Sequence, residues 1–215
     1  MKEYEYILFD LDGTVINSAQ GVTNSVKYAL EKLEYDVPDY NSLCRFIGPP
    51  LTEGFMTFCG FSHEKAEKAL SLYREYYNDK GIFECYLYPG IAELLQQLHE
   101  SGKKTVLATS KPEEYAKRIL KHFGIDKYFF FIGGASFDES RSSKEAVMAY
   151  IIDSLNLKDV KKAIMVGDRH HDVYGAHKFG IECIGVLYGF GGREELEGAG
   201  AEYIAADTNE LKELV

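Results

Sequence analysis

The sequence contains no tryptophan, only five prolines and four cysteines among its 215 residues, and no apolar run approaches the ~20 residues of a membrane-spanning helix. Cys44, Cys59, Cys85 and Cys183 form no CxxC pair and show no metal-ligand spacing, so they read as reduced thiols used as small apolar residues. Basic residues are in deficit as well: 24 Lys and Arg stand against 34 Asp and Glu, a formal net charge of -10. That field repels nucleic-acid backbones and anionic lipid headgroups, so neither a nucleic acid nor a membrane is an expected partner. An anionic small substrate must then be drawn in by a local feature, such as a cation, backbone N–H groups or a few basic side chains. The opening Met1-Lys2-Glu3-Tyr4-Glu5-Tyr6 is charged and precedes only a short apolar stretch, which predicts a cytoplasmic protein without a signal peptide. Internal repeats, low-complexity tracts and long charge runs are missing too.

What is present is an alternation of short apolar runs with amphipathic segments. This is how a doubly wound parallel sheet, α/β and Rossmann-like, reads when helices cover both faces. Candidate strands are Tyr6 to Phe9, Thr105 to Ala108, Tyr128 to Ile132, Ala163 to Val166 and Cys183 to Val186. Pro89 opens a helical pattern carrying Ile91, Leu94, Leu95 and Leu98 before Gly102, and Pro112 opens another that ends at Gly124. From 17 to 83 the rhythm changes: Val22, Val26, Ala29, Leu30 and Leu33 recur at helical spacing, and a second helical pattern covers His63 to Tyr77. The expected organisation is an α/β core of residues 1–16 and 84–215, with a small α-helical domain, 17–83, inserted after the first strand.

The first strand runs straight into Asp10-Leu11-Asp12-Gly13-Thr14, so two carboxylates stand two apart at a strand's carboxyl end, the edge where open α/β sheets bind ligands. Side chains two apart on extended backbone share a direction, and Gly13 permits a sharp turn that brings backbone N–H groups toward a ligand. Such a pair suits a carboxylate nucleophile with an acid/base partner. The bland alternative is a solvated Asp-Gly turn. A calcium loop does not fit, because its Gly and Glu positions hold Val15 and Gly21.

A second acidic group, Gly167-Asp168-Arg169-His170-His171-Asp172, follows the strand at Ala163. If a helix begins there, Asp168 and Asp172 face one way, and with Asp10 they make a hard oxygen site for Mg2+. The alternative is a helix N-cap at Asp168 and a surface residue at Asp172. Adjacent His170 and His171 diverge on a forming helix and do not suit one zinc ion. Thr109 and Ser110 end another strand where a helix is expected to start, a natural phosphate contact. Lys144 opens a further helical pattern and either neutralises a crowded anionic site or is an exposed helix lysine; Lys111 also lies near a strand end. Gly189-Phe190-Gly191-Gly192 lacks the third glycine of a dinucleotide fingerprint and reads as a flexible loop. No Cys has the Arg six places on that a cysteine phosphatase requires.

Taken in order, Asp10-Leu11-Asp12-Gly13-Thr14, Thr109, Lys144 and Gly167-Asp168 with Asp172 resemble the four motifs of the haloacid-dehalogenase-like superfamily, spanning nearly the whole chain. The 17–83 insertion is similar to the cap of its phosphoglycolate phosphatase-like branch, and Arg45-Phe46-Ile47-Gly48-Pro49-Pro50-Leu51 to that branch's cap loop. The resemblance implies Asp10 as the nucleophile that becomes an aspartyl phosphate, and Asp12 as general acid and then base. It implies Thr109 on the phosphate oxygens, Lys144 balancing charge, and Asp168 binding magnesium with Asp10 and the backbone carbonyl of Asp12. Asp172 then orders metal-bound water or Lys144. Gly13, Thr14 and Ser110 belong with the phosphate, and Arg45 and Gly48 with the leaving group.

Within that superfamily, dehalogenating members lack the second Asp, since a halide needs no proton, so Asp12 argues for phosphate chemistry. Sugar-phosphate mutases differ after the first motif and carry His and Trp further on. Transport ATPases need membrane spans. The expected partner is a small phosphorylated metabolite, and the expected assembly a monomer or homodimer. Phosphoglycolate is the leading substrate, and a nucleoside 5'-monophosphate follows because Gly-Asp-Arg-x-x-Asp is similar to bacterial 5'-nucleotidases. A catalytically silent binding relative would have lost Asp10, Asp12 or Asp168, and none is lost.

Overall fold

The computed structural model describes residues 3–48, 50–138 and 140–215; Pro49, in the expected cap loop, lies outside the described residues. The chain divides into two compact units, Met1–Ile16 with Leu87–Val215, and Asn17–Tyr86. It opens with β1 (Tyr6–Phe9) and the short β2 (Ile16–Asn17). The second unit follows as α1 (Ala19–Lys32), α2 (Tyr40–Cys44), α3 (Leu51–Cys59) and α4 (His63–Asp79). After β3 (Tyr86–Leu87), the first unit continues as α5 (Ile91–Glu100), β4 (Lys104–Pro112), α6 (Glu113–His122), β5 (Phe131–Ala135) and α7 (Lys144–Ser154). It closes with β6 (Ala163–Gly167), α8 (His170–His177), β7 (Glu182–Val186), α9 (Arg193–Ala199), β8 (Tyr203–Ala205) and α10 (Thr208–Leu214).

The first unit is a parallel sheet in the order β5-β4-β1-β6-β7-β8. Because β1 is paired on both sides, Leu8 stands level with Val106 on one side and Met165 on the other. Ile7, Leu8 and Phe9 are fully buried, so this strand reads as a continuous apolar run with no alternation. Helices cover both faces: Ile91, Leu94, Leu95 and Leu98 form the buried stripe of α5, and Tyr115, Ala116, Ile119 and Leu120 that of α6. Each such aliphatic side chain removed from water contributes about 1.5–3 kcal/mol. The chain winds from β1 outward to β4 and β5, then returns to β1's other side for β6, β7 and β8. The loops after β1, β4 and β6 therefore gather at one switch point.

Two details depart from expectation. The strand predicted at Tyr128 to Ile132 is Phe131–Ala135, because Asp126–Tyr128 forms a 3-10 turn and the chain extends through Gly133 and Gly134. Those glycines mark close approach: a Cβ on Gly133 would meet the Ile151 side chain, and one on Gly134 the Glu113 backbone. The helical unit extends to Tyr86, three residues past the expected 83. Glu84 belongs to it by hydrogen bonding, accepting from Asn24 and Tyr76 through its carboxylate and from the Gly21 N–H through its carbonyl.

In the helical unit, Val26, Ala29, Leu30, Phe55, Ala66, Ala69 and Tyr77 are buried together with Tyr73, which stacks on Tyr77 at 5.2 Å. Ser62 caps α4 by accepting the Lys65 N–H.

Candidate active site

β1 ends in a tight turn. The Leu11 carbonyl accepts N–H bonds from Thr14, Val15 and Ile16 at 3.3, 3.0 and 2.9 Å, and the Gly13 N–H donates to the Ile16 carbonyl at 2.8 Å. Gly13 has φ +92°, and a Cβ there would run into the Asp168 carboxylate, so both conformation and space require glycine. The N–H groups of Gly13 and Thr14 are both used inside the turn. Thr14 is buried, and its hydroxyl has no hydrogen-bond partner among the described residues.

The turn delivers Asp10 to a buried cationic centre. From the first residue of α7, Lys144 donates to Asp10 Oδ1 at 2.6 Å and to the Ala108 carbonyl at 2.7 Å, and its Nζ lies 2.7 Å from Asp172 Oδ1. Lys144 is 7% exposed, so it is no surface lysine. Gly175 of α8 leaves it room, since a Cβ there would touch the Lys144 stem. Burial pushes the Asp10 carboxyl up to about 6, with the Asp172 charge adding to the rise and Lys144 opposing it. For Lys144, burial works downward, but the two carboxylates outweigh it and its pKa rises.

Asp168 follows β6, two residues before α8 begins. Its Oδ2 accepts the Phe190 N–H at 2.7 Å, whereas its buried Oδ1 has no hydrogen-bond partner among the described residues. Burial and the charges of Asp172 and Asp10 raise its pKa well above the usual carboxylate range. Carboxylate oxygens of Asp10, Asp168 and Asp172 lie within 4.8 Å of one another. Three carboxyl groups gathered out of water, two of them on one ammonium and the third with an orphaned oxygen, fit a divalent cation of hard, oxygen-preferring character. The Asp12 side chain is not in this cluster. Its Oδ2 lies 2.9 Å from the Lys111 Nζ, and its Oδ1 is buried without a hydrogen-bond partner among the described residues.

The helix expected to open at Pro112 does so, with Pro112 as its N-cap, and Thr109 and Ser110 lie just before it in the last residues of β4. Between Ala108 and Pro112 the register of β4 on β5 shifts, so four steps on β4 match two on β5, and α6 begins at Glu113. This bulge directs the segment back toward β1. The buried Thr109 hydroxyl accepts the Lys111 N–H at 3.1 Å, and Lys111 reaches Asp12. Arg45 and Gly48 belong to the other unit. Arg45 is exposed, with its guanidinium 4.3 Å from the centre of the Phe58 ring, and Gly48 is exposed with φ +105°.

Two further readings need correction. The segment after β7 is not a free loop: Gly189 and Gly191 lie so close to Asp168 that a Cβ on either would collide with it, and Phe190 bonds its carboxylate. The rings of His170 and His171 do not diverge but lie 3.8 Å apart.

The sequence pattern of the haloacid dehalogenase-like hydrolase family matches residues 7–186. The chain belongs to this family. Among its relatives, a 5'-nucleotidase of Pseudomonas aeruginosa is 41% identical, covering 99% of this chain and 96% of that protein. The tyrosine-protein kinase PtkA of Mycobacterium tuberculosis is 38% identical over 97% of this chain and 72% of its own length. A phosphoglycolate phosphatase of Vibrio parahaemolyticus is 29% identical over 100% of this chain and 97% of its own length. The crystal structure of a predicted phosphatase from Clostridium acetobutylicum matches with a TM-score of 0.94 at 48% identity, covering 99% of this chain and 98% of that one. This haloacid dehalogenase-like hydrolase is thus a phosphatase by kinship. Members of the family generally use a divalent metal, and the buried aspartate cluster suits one. Among the described residues, no helix is long and apolar enough to cross a membrane.

Proposed function

We propose that this haloacid dehalogenase-like hydrolase is a Mg2+-dependent phosphatase of small phosphomonoesters, working through a phosphorylated Asp10. The observation that carries the reading is Asp10 itself: a buried carboxylate held at 2.6 Å by Lys144, beside an Asp168 whose second oxygen is orphaned. Asp10, Asp168 and the Asp12 carbonyl would hold the magnesium ion, which when bound neutralises phosphoryl oxygens during transfer.

The chain's own groups supply the rest. Lys144 fixes one Asp10 oxygen, which leaves the other to attack phosphorus in line as the bond to the leaving oxygen breaks. Asp12 gives the leaving oxygen its proton. In the second half-reaction Asp12 takes a proton from water, whose oxygen attacks phosphorus and releases Asp10. The Thr109 hydroxyl, with Ser110, meets the phosphate oxygens, and Asp172 holds Lys144 in place.

A nucleoside 5'-monophosphate is the favoured substrate, supported by the 41% identity to a 5'-nucleotidase. Phosphoglycolate is the second reading, supported by the 29% identical phosphoglycolate phosphatase. Arg45 and Gly48 are the proposed leaving-group contacts. A cytoplasmic location belongs to the same proposal, in keeping with four free thiols.

Phosphate release from both substrates, from sugar phosphates and from phosphotyrosine, with and without Mg2+, tests it beside Asp10→Asn. Mg2+-dependent turnover lost in the variant is the expected result. Turnover that survives Asp10→Asn overturns the nucleophile.

A further inference from the structure

We infer that Glu195 is a positioning residue of the metal site, fixing the turn between Asp168 and Asp172 through Arg169 and His170. The inference rests on the reading that Asp168 and its neighbours bind a divalent cation.

Helix α8 starts at His170, so Arg169 occupies its N-cap position. A helix start exposes N–H groups that have no partner within the helix, and the usual cap is a Ser, Thr, Asp or Asn side chain. Arginine has no acceptor to offer. Two carboxylates supply what is missing. Asp172 Oδ2 accepts the Arg169 N–H at 3.1 Å, and Glu195 Oε1 accepts the His170 N–H at 3.0 Å. The same Glu195 oxygen also accepts from Arg169 Nε at 2.8 Å and lies 2.6 Å from His170 Nδ1. One oxygen therefore holds both residues that follow Asp168.

Glu195 is brought there by the segment that packs on Asp168, where Phe190 donates to its carboxylate and Gly191 lies against its carbonyl. Asp168 and Asp172 are thus set by one closed circuit. The turn fixes their spacing, Glu195 fixes the turn, and the 189–191 backbone fixes Asp168 directly. Removing Glu195 frees Arg169 and His170 and loosens both aspartates without touching either. Residues that orient metal ligands typically contribute 10–100-fold in metal affinity or activity.

The test is calorimetric titration of Mg2+ into substrate-free protein carrying Glu195→Ala, Glu195→Asp, Glu202→Ala or Asp168→Asn, with melting curves for each. Glu202 is the structural control. It accepts the Cys183 N–H at 2.8 Å and faces His177 Nε2 at 3.0 Å, and among the described residues no hydrogen bond or ion pair joins it to residues 168–172. Glu195→Ala should weaken Mg2+ binding about tenfold and Glu195→Asp, one methylene short of its partners, severalfold. Glu202→Ala should lower the melting temperature yet leave Mg2+ affinity within about twofold. At saturating Mg2+, kcat of the Glu195 variants should stay within about threefold of native, so that the defect is one of metal affinity.

Glu195 variants that bind Mg2+ like the native protein overturn the inference, as does an equal loss in Glu202→Ala. If Glu195→Ala does not fold, Glu195→Asp decides by the same criterion. Asp168→Asn separates the two levels. Undiminished Mg2+ binding there overturns the metal site and the inference together, whereas binding lost there but kept in the Glu195 variants overturns the inference alone.

Discussion

Lys111 Nζ lies 2.9 Å from Asp12 Oδ2, while Lys144 Nζ lies 2.6 Å from Asp10 Oδ1. Each of the two aspartates of the first motif has its own lysine, and the two pairs differ in what surrounds them. Lys144 is shared between two buried carboxylates, Asp10 and Asp172, whereas Lys111, with its side chain 8% exposed, faces the single carboxylate of Asp12, 17% exposed.

Removing each lysine should therefore have a different consequence. Lys144→Ala leaves two buried carboxylates without their cation, a loss of about 3–5 kcal/mol for a broken buried pair. Its melting temperature should fall by well over 5 °C in the absence of Mg2+, and turnover should fall with it. Lys111→Ala should keep its melting temperature within a few degrees and lose about tenfold in kcat/KM on alkyl phosphates. Thermal melts and steady-state rates on both variants check this. A Lys111→Ala protein as unstable as Lys144→Ala would contradict it.

Asp12 should matter in proportion to how badly the leaving group needs a proton. General acid catalysis contributes about 10²–10⁴-fold where the leaving alkoxide is basic, and little where it is a stable phenolate. Asp12→Asn should thus lose two to four orders of magnitude on a nucleoside 5'-monophosphate while its single-turnover phosphorylation by p-nitrophenyl phosphate falls less than tenfold. Equal losses on both in single turnover would assign Asp12 to something other than proton transfer to the leaving group.

The strand-end carboxylates that gather at the candidate site were legible in the sequence because their signal is local. A short apolar run followed by Asp10-x-Asp12, or by Gly167-Asp168, places carboxylates at a strand's end whatever the rest of the chain does. Lys144 was legible as a helix opening, but its burial was not, since that depends on α8 lacking a side chain at Gly175. β8 is not legible in the sequence because Tyr203–Ala205 is three residues at a sheet edge, too short to show a period. The supports of Asp168 were hardest to see. Gly189 and Gly191 are there for close approach, which resembles loop composition, and Glu195 acts on residues 25 and 26 positions earlier. One signal was available: an arginine where a helix needs a cap implies an acceptor from elsewhere.

Gly13→Ala gives a direct test of the crowded turn. The new methyl must point at the Asp168 carboxylate from a backbone with φ +92°, so it suffers from both strain and overlap. A left-handed backbone costs a non-glycine residue about 1–2 kcal/mol, and displacing Asp168 adds to that. Mg2+ affinity should drop more than tenfold while the protein remains folded. Gly60→Ala is the control, with φ +67° and nothing within 4 Å of the new atom. It should show the strain in its melting temperature and no change in Mg2+ binding.

The metal-free protein should become more stable as pH is lowered toward 5. Burial holds the Asp10 carboxyl near 6, above the ordinary 3.8, and raises Asp168 as well. A carboxyl with a raised native pKa binds its proton more tightly folded than unfolded. Between about pH 4 and 6 the folded state then carries more protons, and stability falls as pH rises. For Asp10 the roughly two-unit shift corresponds to up to about 3 kcal/mol. Glu195 works the other way. Burial tends to raise it, but Arg169 and His170 hold it down at about 2, so its contribution is present above its ordinary 4.5 and is lost as pH falls from there toward 2. In the presence of a chelator, the melting temperature should climb from pH 7.5 to about pH 5 and drop below pH 4.5. Asp10→Asn should flatten the upper limb. Saturating Mg2+ should reverse it, because bound metal rewards ionised carboxylates. A chelated native protein whose melting temperature is flat or rising between pH 5 and 7.5 would mean that the buried aspartates are already compensated without a cation.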